Sequence, residues 1–238
     1  MNGITFLVFG KNNGSLFLNT LNEIFLLSKN LKSDSFEIIL VDDGSQDKQY
    51  QKRIKTKKIQ IINLKDSVGI AGAILEGVKK SKFDNVLPIP GHDLFSSRGI
   101  ANVIDLCGKG RLIIGNRNNL SEERPIIKRM ASRISLRLFQ NLISNSLGDI
   151  HGLILYKKKD LLQYVRYRDG HAISVRVLSR VLVEKGLIIQ TYAPIKKNHK
   201  KHKAKKYPSI KSVFEVFLVL FKEAKNARDN KIITGKQN

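Results

Sequence analysis

With one cysteine, Cys107, the chain can form no internal disulfide and no multi-cysteine zinc site, and it suits a reducing compartment. Within Ile104-Asp105-Leu106-Cys107 that thiol reads as core filling. Also missing is any run of the ~18 apolar residues that a membrane-spanning helix needs, so the chain is expected to be soluble or peripheral. The apolar stretch from Ile4 to Phe9 has no basic lead and is shorter than the core of a signal peptide, which makes it a first strand. Acidic residues are scarce: 20 Asp and Glu stand against 43 Lys and Arg, a formal charge of +23. Such a surface attracts anions, whether nucleic acid, phosphorylated substrate or lipid headgroup, and charge alone does not choose among them. The densest basic run, Lys196 to Lys206, holds seven Lys and two His with no acidic and no aromatic residue. Without aromatic interleaving or a recognised nucleic-acid motif, nucleic acid ranks last among the partners.

What the chain does have is alternation. Its 238 residues suffice for one full core, read as a domain over 1–195, followed by a basic loop and C-terminal helix over 196–238. Strands are expected at Ile4–Phe9, Glu37–Val41, Ile59–Ile62, Asn85–Pro90, Arg111–Gly115, within Asp149–Tyr156 and at Leu187–Gln190. Helical spacing fills the intervals from Leu16 to Ser28, from Gly69, over Lys128–Ser144, from Asp160 and over Ala172–Lys185; the polar segment Lys48–Lys58 is compatible with an exposed helix. Arg129, Arg133 and Arg137 recur at every fourth residue, a basic stripe that most simply faces solvent. This order predicts a doubly wound α/β fold with a mainly parallel sheet. Val213–Phe221 is apolar apart from Glu215 and fits either a core-packing or an interfacial membrane helix.

The second strand is the centre of the reading. Ile38-Ile39-Leu40-Val41 is short and apolar, as for a strand buried on both faces, and it stops at Asp42-Asp43-Gly44-Ser45. A polar turn would explain those four residues, since Asp and Gly end strands for conformational reasons alone. Yet the fourth strand also runs into a carboxylate, at Gly91-His92-Asp93. Ligands of open α/β sheets bind beyond the carboxyl ends of strands, so Asp42, Asp43 and Asp93 share one rim, where a ribose, a base edge or a divalent cation could meet them. The glycine turn Ser67-Val68-Gly69 matches no phosphate-loop fingerprint, and close helix–sheet packing explains its small residues more simply.

Taken in order, these pieces resemble family 2 glycosyltransferases of the GT-A (Rossmann-like) fold, especially the dolichyl-phosphate mannose synthase-like branch, over about residues 3–207. Glu37 to Asp47 is similar to that family's second-strand signature, and Gly69, Ala71, Ala73 and Gly77 match its helix entry. Gly91-His92-Asp93 stands at its Asp-x-Asp metal motif, Gly115-Asn116-Arg117 at the Gly-x-Arg opening the acceptor half (111–195, after a nucleotide-sugar half over 1–110), and Lys200 to Tyr207 at its late basic loop. The resemblance implies a glycosyltransferase that moves a sugar from a nucleotide-sugar donor to a polyprenyl-phosphate or cell-surface glycan acceptor in cell-envelope polysaccharide synthesis. It implies Asn12, Asp42, Asp43, Ser45, Gly69 and His92 at the nucleotide sugar, and Lys200, Lys205 and Lys206 at phosphate or acceptor. Asp93 and Arg117 take catalytic roles, with Asp93 also ligating a divalent cation, Mg2+ or Mn2+. The implied setting is the cytoplasm, peripheral on the anionic inner face of the cytoplasmic membrane.

Three departures accompany the resemblance. Gly91 replaces the first carboxylate of the metal motif, and Gly10-Lys11-Asn12-Asn13 replaces Pro-x-Tyr-Asn-Glu. Arg176 lies near the place of the expected helix carboxylate. A phosphate acceptor needs no general base, so the last departure favours a lipid phosphate. A catalytically weak or silent module that binds a nucleotide sugar or a partner is the alternative.

Overall fold

The apolar runs form the strands of one 7-stranded sheet, in a computed structural model that describes residues 3–29, 31–32, 35–54, 56, 58–117, 119, 126–144, 146–196 and 210–229. These are β1 (Ile4–Gly10), β2 (Phe36–Asp42), β3 (Ile59–Asn63), β4 (Asn85–Pro90), β5 (Leu112–Asn116), β6 (Leu153–Lys157) and β7 (Ile188–Tyr192), in the order β3-β2-β1-β4-β6-β5-β7. β1 pairs in parallel with β2 and β4, β2 with β3, and β5 with β7; β6 lies antiparallel between β4 and β5. The mainly parallel, mixed sheet is the one expected for a GT-A fold.

Side chains alternate along a strand, and both faces of β1 and β2 are covered. Leu7, Phe9, Ile39 and Val41 enter one core cluster; Phe6, Val8, Ile38 and Leu40 enter the other. The second cluster is roofed by α1 (Ser15–Ser28) and α3 (Ser97–Ile104). On the first lie α2 (Gly69–Lys80), α4 (Ile126–Leu142), α5 (Lys158–Tyr164), α6 (Ile173–Val183) and α7 (Ile210–Asp229). Close packing accounts for Gly77, where an added Cβ would come within 2.5 Å of Leu7 Cδ1. Cys107 packs partly buried beside α3, and burial pushes its thiol up, as suits core filling.

Two elements differ from the sequence expectation. Among its described residues, Lys48–Lys58 yields a 3-10 turn at Gln49–Arg53, with Tyr50 as the one buried anchor instead of an apolar face that would hold a longer helix. Conversely α3 forms where no helix was expected: Ser96 caps it by accepting from Gly99 N–H, while Ile100, Val103 and Ile104 bury its inner face.

α7 packs one face on the core and leaves apolar residues on the other. Val216, Leu220, Ala224 and Ala227 are buried, whereas Phe214, Leu218 and Phe221 are more than half exposed at 60%, 55% and 56%. The exposed face continues with Lys222, Lys225 and Arg228. On α4, Arg133 and Arg137 of the basic stripe face solvent. Lys200, Lys205 and Lys206 lie outside the described residues.

Candidate functional site

β1, β2 and β4 end side by side, so the turns after Gly10, Asp42 and Pro90 meet the entry to α2 along one rim. Left-handed backbone concentrates there: Asn12, Gly14, Gly44, Gly69 and Asp93 have φ of 54°, 51°, 71°, 80° and 60°. For Asn12 and Asp93, which carry Cβ atoms, that conformation is costly and needs bonds to hold it. Those bonds are present. Asn12 donates its N–H to Ser45 Oγ at 2.8 Å and accepts Gln46 N–H on Oδ1 at 3.0 Å, stapling the β1 exit to the β2 exit. Asp93 donates its N–H to Thr20 Oγ1 of α1 at 3.0 Å.

The adjacent carboxylates Asp42 and Asp43 diverge in role. Asp42 is fully buried and accepts from Ser45 N–H at 2.8 Å and from the Tyr50 hydroxyl at 2.7 Å, so it shapes the turn. Burial, seconded by Asp42, pushes the Tyr50 hydroxyl well above the usual phenol range. Asp43 reaches the start of α2, accepting Val68 N–H at 2.7 Å, Gly69 N–H at 3.1 Å and the Ser67 hydroxyl at 2.7 Å. Helix-entry N–H groups lack partners of their own, and here a carboxylate from another strand supplies one. Two of the N–H groups that a phosphate loop would offer, those of Val68 and Gly69, are therefore already taken. A carboxylate has about four acceptor positions, so Asp43 keeps one for a ligand.

Asp93 Oδ1 accepts from Lys196 Nζ at 2.6 Å, and Asn19 Nδ2 lies 3.5 Å from Oδ2. Lys196 Nζ also lies 2.6 Å from Glu23 Oε1. Burial opposes charge on both partners, yet the pairing wins: Lys196 is raised and Glu23 lowered from their ordinary values. His92 sits partly buried on the same turn. At Gly91 an added Cβ would lie 2.3 Å from the ring of Phe17, which is fully buried and packed 4.8 Å from the Tyr50 ring. Sterics, then, exclude the motif's first carboxylate.

Among the described residues no three His, Cys, Asp or Glu side chains cluster as a metal cage. Mg2+ and similar ions need no such cage where substrate phosphates complete the shell around one or two carboxylates, and Asp93 with its lightly engaged Oδ2 fits that use.

In the acceptor half, Arg117 is 4% exposed and donates Nε and Nη2 to Asp149 at 2.7 and 2.8 Å. Asp149 also accepts Arg117 N–H and His151 N–H, so the pair ties the β5 exit to the turn before β6. This pairing holds the Arg117 side chain at the entry to the acceptor half. Burial raises the Asp149 carboxyl, but Arg117 overrides this and holds it at about 2. Arg176, at the place of the expected carboxylate, is bidentate to Asp169 and bonded to Glu223 of α7.

Sequence reasoning passed over Glu23, Thr20, Asp149 and Lys196. Glu23 is the one acidic residue of α1, a visible signal; Lys196 was hidden among its basic neighbours. Asp149, just before a strand, looked like any turn residue.

The family model described as "Glycosyl transferase family 2" matches residues 11–165, more than half of the chain. No curated protein sequence matches. Solved structures of glucosyl-3-phosphoglycerate synthase from Mycobacterium tuberculosis share the fold. One in complex with UDP superposes with a TM-score of 0.69 at 14% identity, covering 94% of this chain and 80% of that one. Another, with Mn2+, UDP-glucose and phosphoglyceric acid, gives 0.67 at 13% identity with the same coverage of 94% and 80%. A third, with Mg2+ and UDP, gives 0.66 at 13% identity, again covering 94% and 80%.

Proposed function

As the chain belongs to glycosyl transferase family 2, we propose that it moves a sugar from a nucleotide-sugar donor, bound along the β1–β2–β4 rim, to an acceptor that presents a phosphate. The observation that carries this reading is the placing of Asp43 and Asp93 on that rim, one at the mouth of α2 and one beyond β4. Asp43 offers its remaining acceptor position to base or ribose. Asn12, Asp42 and Ser45 fix the turns that flank it, and Gly69 and His92 complete the rim. Asp93 would hold Mg2+ or Mn2+, whose charge offsets the charge developing on a diphosphate leaving group. Arg117 sets the geometry of the acceptor half. Lys200, Lys205 and Lys206 would meet phosphate as point charges. The synthase that shares this fold has been crystallised with UDP-glucose, Mn2+ and phosphoglyceric acid, itself a phosphate-bearing molecule.

Polyprenyl phosphate, as in the dolichyl-phosphate mannose synthase-like branch, is the acceptor we favour, at the inner face of the cytoplasmic membrane. What supports it is that Arg176 leaves no general base at its position and that α7 exposes Phe214, Leu218 and Phe221 beside Lys222 and Lys225. An apolar face bordered by Lys is the pattern of an interfacial helix, and each Lys near an anionic bilayer adds roughly 1 kcal/mol. No described helix is long and apolar enough to cross a membrane. The protein should sediment with phosphatidylglycerol vesicles at low salt, and Phe214→Ser with Phe221→Ser should abolish this; equal partition onto neutral vesicles rules out the charged component.

Donor choice is tested by calorimetry with UDP-, GDP- and dTDP-sugars. Asp43→Ala should weaken the donor that binds by ten- to hundredfold, the loss of one charge-assisted hydrogen bond of about 1.5–3 kcal/mol. Unchanged affinity in a folded variant removes Asp43 from the site. The ion pair on Asp93 favours a second reading, a weak or silent module; nucleotide binding without donor turnover, hydrolysis included, selects it.

A further inference from the structure

We infer that Lys196 is a positioning residue that acts as a built-in counter-cation on Asp93, and that a divalent ion arriving with a nucleoside diphosphate must displace it. This rests on the donor reading above. Three observations carry it. First, the ammonium is paired twice: its Nζ is 2.6 Å from Asp93 Oδ1 and 2.6 Å from Glu23 Oε1. Second, its backbone is fixed, since Lys196 N–H donates to Leu94 O at 2.9 Å and the preceding residue bridges to β4's exit through the Phe95–Ile195 pair. Third, the acceptor is buried: the Asp93 side chain is 7% exposed, and it projects from a left-handed backbone position that restricts its alternatives.

A carboxylate so placed cannot be left bare, because an unpaired buried charge is costly. In a protein that lacks the motif's first carboxylate, the lysine pairs with Asp93 and keeps it aimed until a cation of higher charge takes over. Glu23 is the second half of the device. When Lys196 gives up Asp93, Glu23 still holds the ammonium, so the displaced charge stays paired a short distance from the site.

The experiment is a Mn2+ titration followed by electron paramagnetic resonance, with saturating UDP, GDP or dTDP, whichever binds most tightly to the wild-type protein. Lys196→Met removes the competing charge and should tighten Mn2+ at least tenfold, while Lys196→Arg should stay near wild type. If the Met variant does not fold by circular dichroism, Lys196→Gln retains hydrogen-bond donors to both carboxylates without charge and should show the same tightening. Mn2+ affinity that is unchanged or weaker in the folded neutral variant overturns the counter-cation role. Binding of nucleotide with no Mn2+ uptake by any variant overturns it together with the metal role of Asp93 and leaves only nucleotide binding at the rim standing. Failure of every nucleoside diphosphate to bind overturns both.

Discussion

Arg117→Ala should cost about 3–5 kcal/mol of stability, because it strands a buried carboxylate. Asp149 has lost nearly all contact with water, and Arg117 supplies a close ion pair to it. Chemical denaturation reads the loss directly. The pH profile separates this from ordinary cavity formation. In the wild type the Asp149 carboxyl is lowered from its ordinary 3.8 to about 2, so its contribution is present above pH ~4 and lost as pH falls toward 2. The shift corresponds to roughly 2 kcal/mol. Without the guanidinium, burial is opposed only by the lesser contributions of His151 and the carboxyl should rise; the variant should then gain stability on mild acidification, the opposite slope. Asp149→Asn in the Arg117→Met background should recover much of the loss, since neither charge is left behind. A variant with wild-type stability and a selective fall in kcat would return Arg117 to the catalytic role.

Gly91→Asp is expected to destabilise by about 3–5 kcal/mol instead of improving ion binding. By family pattern alone the substitution restores a ligand. The structure opposes it, because the new Cβ would fall 2.3 Å from a ring carbon of Phe17, and that ring has no exposed side to move toward. Gly91→Ala carries the same Cβ without the charge and should cost about 1–3 kcal/mol, which isolates the steric share. A melting temperature equal to wild type for both variants, with tighter Mn2+ binding in the Asp form, would contradict this.

Sheet, helix order and rim were legible because their signals are local. Ile38 to Val41 is apolar on every residue, so it announces a strand covered on both sides, and a carboxylate next to such a strand end has a known location. The aspartates' partners were not legible. Asp43 meets residues 67–69 and Asp93 meets Lys196, contacts set by chain closure at separations of 24 to 103 positions. The 3-10 turn at Gln49–Arg53 escaped for a related reason: Tyr50 points inward to a carboxylate eight residues earlier, which no periodicity records. Gly91 was read as a lost ligand because the ring that needs its space lies on α1, 74 positions upstream.

Asp43 is a structural keystone as well as the residue we assign to the donor. Its bonds to Val68, Gly69 and Ser67 seat the helix that closes the first core cluster. Selection therefore acts on this position twice, once through the amount of protein that survives in the cell and once through its chemistry. A library of variants scored only by growth would merge the two. Scored by abundance alongside growth, position 43 should fall on both axes, whereas a residue that touches only the ligand should fall on one.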